Sequence, residues 1–391
     1  ELISDVPVGL FLSGGIDSSL ILAIANELYQ GRLQTFSIGF AQNDLDESNQ
    51  AASLADYFGT DHSTIYFDDF DIEALVSRAL SYLDVPLGDS SYIPSFLLCE
   101  VASQKVKCAL GGDGGDELFG GYPTYQAHCL LQLYENSLPQ LFRGFLLERI
   151  SRKLPKKTSN INTKMKVDRF LAGRSMPLVK RHMTWMSTTY DAGQLLELIH
   201  SDSQREDDLF GDTEILLINS GIKDVINAAQ YIDLVTYLPG SIHAKMDCAS
   251  MMNGLELRSP FVNSIMLEAS ASVTSTYRVG LGQSKKILRD IAKEKLPAEI
   301  CNRPKRGFNF PVSQLLRTSL KNMAIGSIDS LASALNIKHV EQLFNSFFNE
   351  QGDHRKIIWT LFSVSQWYQS ILQAKSQTSQ QSDIPAEILP Q

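Results

Sequence analysis

Short apolar stretches alternate with stretches of helical periodicity over the first 110 residues. The apolar stretches predict buried strands at residues 6–12, 35–40, 65–67 and 106–110. The helical stretches lie between them, at residues 16–30, 46–58 and 93–103. Gly31 follows the first of these, where glycine is typical of a helix C-terminus. Strands and helices that alternate in this way predict a doubly wound α/β fold, a parallel sheet with helices on both faces.

The pattern changes after about residue 125, where convincing strands disappear. Amphipathic stretches at residues 130–150, 228–238, 287–296 and 357–372 predict a mainly helical second part. From about residue 375 the chain is rich in Gln and Ser and contains two prolines, which predicts a disordered tail over 376–391. The predicted organisation is a nucleotide-binding core over 1–125 and a helical part over 126–375.

Composition narrows the class of protein. The chain has 391 residues, of which 43% are hydrophobic, and a net charge of −9, so general electrostatic attraction to nucleic acid is not expected. Its apolar runs are shorter than a membrane span requires, and the start of the sequence does not resemble a signal peptide. Five scattered cysteines without zinc-ligand spacing predict reduced thiols in a cytoplasmic protein. The sequence starts at Glu1, so a fragment or processed product is expected.

A glycine-rich turn follows the first predicted strand. Its sequence is Ser13-Gly14-Gly15-Ile16-Asp17-Ser18-Ser19, and it opens the first helix. Glycines let the backbone approach a phosphate, and the helix N-terminus presents unpaired N–H groups to it. Because Asp17 would repel a bare phosphate, its presence predicts a bridging divalent cation. An ordinary glycine turn with serine caps is the alternative, but the strand, the acid and the serines favour a phosphate loop.

A second glycine-rich loop follows the strand at residues 106–110. It reads Gly111-Gly112-Asp113-Gly114-Gly115-Asp116-Glu117-Leu118-Phe119-Gly120-Gly121-Tyr122. In a parallel sheet, both loops leave the carboxyl ends of strands, where ligands bind. Asp17 and Asp116 could therefore hold one Mg²⁺ against a phosphate, because Mg²⁺ prefers oxygen ligands and substrate phosphates. An acidic surface loop is the alternative.

Two later segments have less decisive local chemistry. Residues 237–261 contain Lys245, Met246 and Asp247, and a buried structural helix explains them as well as a catalytic one does. Residues 285–311 carry four cations between Lys295 and Arg306, which is also compatible with a solvated loop.

Taken together, these motifs resemble a known family. The first loop is similar to the pyrophosphate loop of the ATP-pyrophosphatase superfamily, whose fold is adenine nucleotide alpha-hydrolase-like. The second loop resembles the C-terminal synthetase domain of glutamine-hydrolysing asparagine synthetases. The similarity extends from about residue 6 to residue 311. Cys248 stands where many relatives carry Arg, and Asn263 where they usually carry Asp.

The resemblance implies a reaction in which ATP activates a carboxylic acid. Aspartate would form β-aspartyl-AMP with release of pyrophosphate, and ammonia would then displace AMP. The implied catalytic residues are Lys305, which stabilises the adenylation transition state, Asp113 as a base and Glu117 as an acid beside the metal or behind its ligands. The implied ATP site comprises Leu12, Ser13, Gly14, Gly15, Asp17, Ser18, Ser19, Ile38 and Gly112, with Mg²⁺ on Asp17 and Asp116. Asp89 and Ser90 are candidate substrate contacts.

Several alternatives stay open at this point. Relatives carry an upstream glutaminase domain that nothing in the chain resembles, so ammonia would be free or come from a missing domain or a partner subunit. The acid could also be that of a β-lactam synthetase, a lasso-peptide cyclase or a polysaccharide-cluster amidotransferase. A regulatory protein with an inactive site is a further alternative, and a homodimer is one option for assembly.

Overall fold

The computed structural model describes residues 1–40, 46–137, 163–187, 197–199, 210–301 and 310–381. The predicted active-site loop near residues 303–311, including Lys305, lies mostly outside the described residues. So does the predicted tail from residue 382 onward.

A five-stranded parallel sheet forms the centre of the fold. Its strands are β1 (Val8–Phe11), β2 (Gln34–Gly39), β3 (Asp61–Tyr66), β4 (Cys108–Leu110) and β5 (Glu256–Arg258). They lie in the order β3-β2-β1-β4-β5, with every neighbouring pair parallel. Leu10 of β1 pairs with Thr35 on one side and Leu110 on the other. The predicted parallel sheet is confirmed, with strand ends shifted by a few residues.

The prediction that strands disappear after residue 125 was wrong, because β5 completes the sheet at its edge. Glu256 and Arg258 make this strand only half apolar, so it carries no hydrophobic pattern of its own. It is defined by pairing: Glu256 N–H donates to Lys107 O at 2.9 Å, and Gly111 N–H donates to Arg258 O at 2.8 Å. Tertiary partners therefore created this strand where local sequence indicated a loop.

Helices surround the sheet and form most of the second part. Before the second glycine-rich loop they are Ile16–Leu28, Ser48–Phe58, Ile72–Ser81 and Tyr92–Ala102. From that loop to β5 they are Gly115–Phe119, Pro123–Ser137, Thr163–Gly173, Leu178–Met186, Gly211–Ser220, Val225–Val235, a π-helix Leu238–His243 and Ala244–Met251. After β5 they are Ser264–Ser272, Ser275–Arg278, Lys286–Lys295, Ala298–Cys301, Val312–Arg317, Lys321–Ser327, Ile337–Phe348 and Arg355–Gln381.

Two helix ends differ from the sequence predictions, and one helix was missed. The first helix ends at Leu28, where Tyr29 N–H donates to Ala25 O at 2.8 Å, so Gly31 is not its C-cap. Ile72–Ser81 was not predicted at all. The last helix continues to Gln381, past the residue where the sequence predicted the tail to begin.

Hydrophobic cores lie on both faces of the sheet. Val8 and Leu10 of β1 belong to one core, while Phe11 belongs to the other, as the alternation of side chains along a strand requires. This two-sided burial confirms the doubly wound architecture. All five cysteines are free thiols, as predicted. Within the described part of the chain, no helix combines the length and apolar character that crossing a bilayer demands.

The strand order places the two glycine-rich loops side by side. The chain crosses from β1 to β2 in one direction, whereas β4 lies on the other side of β1. The loops after β1 and β4 therefore leave adjacent strands at the point where the winding direction reverses, which is where ligands bind in open α/β sheets.

Candidate active site

A cavity of about 1230 Å³ opens where these two loops meet. The predicted site residues that line it are Leu12, Ser13, Gly14, Gly15, Asp17, Ser18, Ile38, Asp89, Ser90, Gly112, Asp113, Asp116 and Glu117. Ser19 does not line it, because this residue is fully buried and its hydroxyl donates to Gly15 O at 2.7 Å. The structure thus brings together residues from distant parts of the sequence around one space.

The first loop is held in shape by its own serines. The Ser13 and Ser18 hydroxyl oxygens lie 3.0 Å apart, and Ser13 N–H donates to Ser18 Oγ at 3.2 Å. Gly14 has a φ of 72°, in the left-handed region that favours glycine. The helix Ile16–Leu28 starts directly after this turn, so its N-terminal N–H groups face the cavity end of the loop.

The carboxylates of Asp17 and Asp116 converge on one cation, the ammonium group of Lys285. Lys285 Nζ lies 2.7 Å from Asp116 Oδ1 and also forms an ion pair with Asp17 Oδ2. The Lys285 side chain is only 4% exposed. Burial lowers the pKa of Lys285, but the two carboxylates outweigh burial and raise it overall. The two acids that the sequence predicts as Mg²⁺ ligands therefore lie together at the ammonium of Lys285, and their binding of Mg²⁺ stays a prediction.

Close approach of these groups depends on glycine. A Cβ atom on Gly121 would overlap the Asp116 carboxylate and the end of the Lys285 side chain. A Cβ atom on Gly115 would lie 2.8 Å from Asp17 Cγ, closer than real Cβ atoms come. The glycines of the second loop thus leave the room in which the two acids and the lysine meet.

Lys285 is the site residue that local sequence did not reveal. It precedes the helix Lys286–Lys295 and has a φ of 53°, which is uncommon for a residue with a side chain. Its sequence neighbours include other charged residues, so nothing local distinguishes a buried lysine from a solvated one. Lys285 reaches the two carboxylates because the helix Lys286–Lys295 packs against the helix Ile16–Leu28.

Asp113 lies on the cavity wall next to this cluster. Burial raises the pKa of Asp113, partly opposed by Lys245 and His243. A raised pKa makes the carboxylate a stronger base, which suits a group that takes up a proton.

Glu117 is buried next to Asp116 in the second glycine-rich loop and accepts a hydrogen bond from Tyr122. The Tyr122 hydroxyl donates to Glu117 Oε1 at 2.6 Å, and Glu117 is 1% exposed. Burial raises the pKa of Glu117 to about 7, although the bond from Tyr122 opposes this. Gln230 fixes the same turn, since its Nε2 donates to Glu117 O at 2.6 Å.

Replacing Glu117 with Gln is expected to weaken the pH dependence of stability. Because the pKa of Glu117 rises from 4.5 to about 7 on folding, its contribution is full below pH 4.5 and lost as pH rises to about 7. Wild-type protein should therefore lose up to about 3 kcal/mol more free energy of unfolding than Glu117→Gln between these limits. Urea unfolding at pH 5 and pH 8 measures the difference.

The exposed Glu294 provides the matched control, and Glu294→Gln should keep the wild-type pH dependence. Parallel profiles for wild type and Glu117→Gln would show that Glu117 titrates as an ordinary carboxylate.

Asp89 also lines the cavity and is held by Lys245. Lys245 Nζ donates to Asp89 Oδ2 at 3.0 Å and to Ser91 Oγ at 2.8 Å, while Ser91 N–H donates to Asp89 Oδ1 at 3.0 Å. Burial raises the pKa of Asp89, but Lys245 and Ser91 together lower it below the usual value. The helix that carries Lys245 thus contributes to the cavity. Local sequence had left open whether this helix is purely structural or part of the site. Ser90 lines the cavity beside Asp89.

The two departures from the family pattern do not line the cavity. Asn263 Oδ1 accepts a hydrogen bond from Met266 N–H at 2.9 Å and caps the helix Ser264–Ser272, as an Asp could. Cys248 Sγ lies 3.5 Å from the Tyr92 hydroxyl, in the packing between two helices.

The segment that contains Lys305 starts and ends beside the cavity. Ile300 lines the cavity on one side of residues 302–309. On the other side, the Phe310 ring packs 6.4 Å from Phe40 and 6.1 Å from Trp359, and both of these also line it. The described flanks are therefore compatible with a loop at this site, and the position of Lys305 itself stays a prediction.

The donor set of Asp17 and Asp116 suits a magnesium ion that is shared with phosphates. Across the described residues, no group of three or more His, Cys, Asp or Glu side chains is arranged to hold a metal. Mg²⁺ commonly binds through one or two carboxylates, water and substrate phosphates, so two acids suffice. The ammonium of Lys285 lies between the two carboxylates, so an ion bound there would share their oxygens with this lysine.

Comparison with known proteins gives one family. The family model described as asparagine synthase matches residues 1–369. Glutamine-hydrolyzing asparagine synthetase 1 of Bacillus subtilis is 28% identical over 390 residues, which are 99% of this chain and 60% of that protein. Asparagine synthetase 3 of the same organism is 24% identical over 384 residues, covering 92% of this chain and 54% of that protein. The amidase chry2 of Gibberella zeae is 34% identical over 148 residues, covering 33% of this chain and 22% of that protein. The chain thus spans 60% or less of the length of these relatives.

Proposed function

Because the chain belongs to the asparagine synthase family, we propose that it activates a carboxylic acid with ATP and converts it to an amide. A carboxylate oxygen attacks the α-phosphorus of ATP, which forms an acyl-adenylate and releases pyrophosphate. Ammonia then attacks the acyl carbon, the carbon–oxygen bond to AMP breaks, and one proton of the attacking amine passes to a base.

The convergence of Asp17 and Asp116 on one cation carries this proposal. The two carboxylates come from the loops after β1 and β4, and they flank the start of the helix Ile16–Leu28. A glycine-rich turn at a helix N-terminus binds phosphate. The two carboxylates can bind a cation that neutralises the charge of the phosphate. This combination suits a nucleotide that releases pyrophosphate better than it suits an uncharged ligand.

Each residue of the site has a proposed task. The N–H groups of the Ser13–Ser18 turn bind the pyrophosphate, while Leu12 and Ile38 border the adenine beside Gly112. Bound Mg²⁺, held by Asp17 and Asp116, would neutralise charge on the phosphates.

The remaining tasks concern charge and protons at the reacting groups. Lys305 offsets the charge that develops on the phosphoryl oxygens, as the family resemblance implies. Asp113 takes the proton of the attacking amine. Glu117 holds the second loop behind the acids and is the alternative base.

Aspartate is the proposed acid, with β-aspartyl-AMP as the intermediate and asparagine as the product. The names of the Bacillus relatives support this assignment. Ammonia from a glutaminase domain or subunit, a cytoplasmic location and a homodimer stay predictions.

A second candidate is an enzyme of the same type that uses another carboxylic acid. The similarity to an amidase in part of the chain is compatible with it. Pyrophosphate release from a panel of amino acids and other carboxylic acids distinguishes the two candidates.

ATP–pyrophosphate exchange that depends on aspartate and Mg²⁺ is the expected result for the 391-residue chain. Asp113→Asn should retain this exchange, because adenylate formation needs no amine base, yet lose amide formation with ammonium by roughly 100-fold or more. Isotope exchange and asparagine formation are measured on the same preparations.

The surface variant Asp290→Asn serves as the control, since Asp290 pairs with Lys293 away from the cavity. Exchange absent with every acid in a folded protein would refute the proposed function. Equal loss of both steps in Asp113→Asn would remove Asp113 as the amine base.

A further inference from the structure

Lys356 lines the same cavity as the first glycine-rich loop. It is the second residue of the helix Arg355–Gln381 and is half-buried. Among the described residues, no hydrogen bond or ion pair reaches its ammonium group. A cavity-facing cation without a partner is costly to bury, so it calls for an explanation.

The other lysines of the described cavity wall differ in this respect. Lys245 pairs with Asp89, and Lys285 pairs with Asp17 and Asp116. Lys356 alone of these three faces the space with its charge uncompensated. Among the lysines of the described cavity wall, Lys356 is therefore the one whose ammonium group is left for a ligand.

Contacts between the helix Arg355–Gln381 and the loop at residues 84–88, just before Asp89, fix the position of Lys356. The Ser363 hydroxyl donates to Leu87 O at 2.7 Å, and Trp367 Nε1 donates to Asp84 O at 3.1 Å. Closer to Lys356, a Cβ atom on Gly88 would lie 2.9 Å from Thr360 Oγ1, so the helix lies directly against the loop. This packing fixes Lys356 beside the part of the cavity that Asp89 and Ser90 line.

The electrostatic environment of Lys356 favours an anion. Burial and the nearby charges of Arg169 and Arg355 lower its pKa to about 8, while Asp89 and Asp353 oppose the shift. Asp89 and Asp353 are themselves paired, with Lys245 and Arg355. An anionic group bound beside Lys356 would keep the ammonium protonated and compensate the local excess of positive charge.

We propose that Lys356 binds an anionic group of the acceptor other than the carboxyl group that reacts with ATP, so that the acceptor is a dicarboxylic acid. In aspartate that group is the α-carboxylate, which Lys356 holds while the side-chain carboxylate faces the nucleotide. This assignment rests on the proposed function, because it takes the cavity to hold an acid next to ATP.

Lys356→Met is expected to raise the KM for aspartate on the order of 10–100-fold, the usual loss for a hydrogen bond to a charged group. The KM for ATP should stay unchanged, and Lys356→Arg should recover most of the aspartate affinity. β-Alanine, which lacks the α-carboxylate, should be a poor acceptor for wild type and no poorer for the variant. Pyrophosphate release with ATP, Mg²⁺ and ammonium measures the KM for aspartate, the KM for ATP, the recovery in Lys356→Arg and the activity with β-alanine.

The matched control is Lys338→Met. Lys338 is also the second residue of a helix, Ile337–Phe348, but it is exposed and does not line the cavity. This variant should retain wild-type KM values. An unchanged aspartate KM in Lys356→Met, or β-alanine accepted as well as aspartate by wild type, overturns the inference while the proposed function stands.

Calorimetric titration with succinate tests the inference without turnover. Wild type should bind succinate, and Lys356→Met should bind it on the order of 10–100-fold more weakly. If no acid releases pyrophosphate, the proposed function fails and this titration decides the inference by itself. Equal succinate binding by both proteins, or none by wild type, overturns it.

Discussion

Asp17→Asn is expected to reduce ATP–pyrophosphate exchange by roughly 100–1000-fold, the range found when one charge-stabilising group is removed from an active site. Asn keeps the size of Asp and its ability to accept a bond from Lys285. It removes one of the two negative charges that converge on the cation site. The cation and the leaving pyrophosphate would then be held by Asp116 alone. Exchange at saturating aspartate and Mg²⁺ measures the loss.

The surface substitution Asp290→Asn should exchange at the wild-type rate, and thermal unfolding should show that Asp17→Asn is folded. A wild-type exchange rate in Asp17→Asn would mean that the cation site lies elsewhere. Partial recovery at higher Mg²⁺ concentration would instead strengthen the assignment, because the remaining ligand would bind the ion more weakly.

Lys285→Met is expected to lower the free energy of unfolding by roughly 3–5 kcal/mol, the usual cost of removing one partner from a buried ion pair. The side chains of Asp17 and Asp116 are 18% and 22% exposed, so without Lys285 two like charges would face each other with little solvent. Mg²⁺ should recover part of this loss and should stabilise the variant more than wild type, because it binds only the folded site. Denaturant unfolding with and without Mg²⁺ measures both effects.

Lys293→Met is the matched control, because Lys293 lies in the helix that follows Lys285 but forms an exposed pair with Asp290. Lys293→Met should lower the free energy of unfolding by about 0–1 kcal/mol, and Mg²⁺ should stabilise this variant no more than wild type. Wild-type stability in Lys285→Met would show that the buried pairs add nothing measurable. An equal Mg²⁺ effect on all three proteins would place the ion outside this cluster.

Local patterns were sufficient where neighbouring residues decide the structure. The strands and most helices of the first part, the parallel sheet and the loop after β1 follow from hydrophobic period and glycine placement, which act over a few residues. The helix Ile72–Ser81 is an exception, since the sequence did not predict it. The same holds for Asp17 and Asp116, since a glycine-rich turn at the carboxyl end of a strand specifies where its acid lies. Helix ends were less certain, as Gly31 shows, because capping depends on packing as well as on residue type.

By itself, the sequence determined the fold class and the two loops that meet at the sheet edge, because strand alternation and glycine turns are encoded within short stretches of chain. Tertiary structure alone decided which cations enter the site. Lys285 reaches Asp17 across 268 residues, and Lys356 faces the cavity because a distant helix packs on the loop at Gly88. A lysine in sequence is the same residue whether solvated or buried, and only the packing of remote elements removes its water and supplies or withholds its partner.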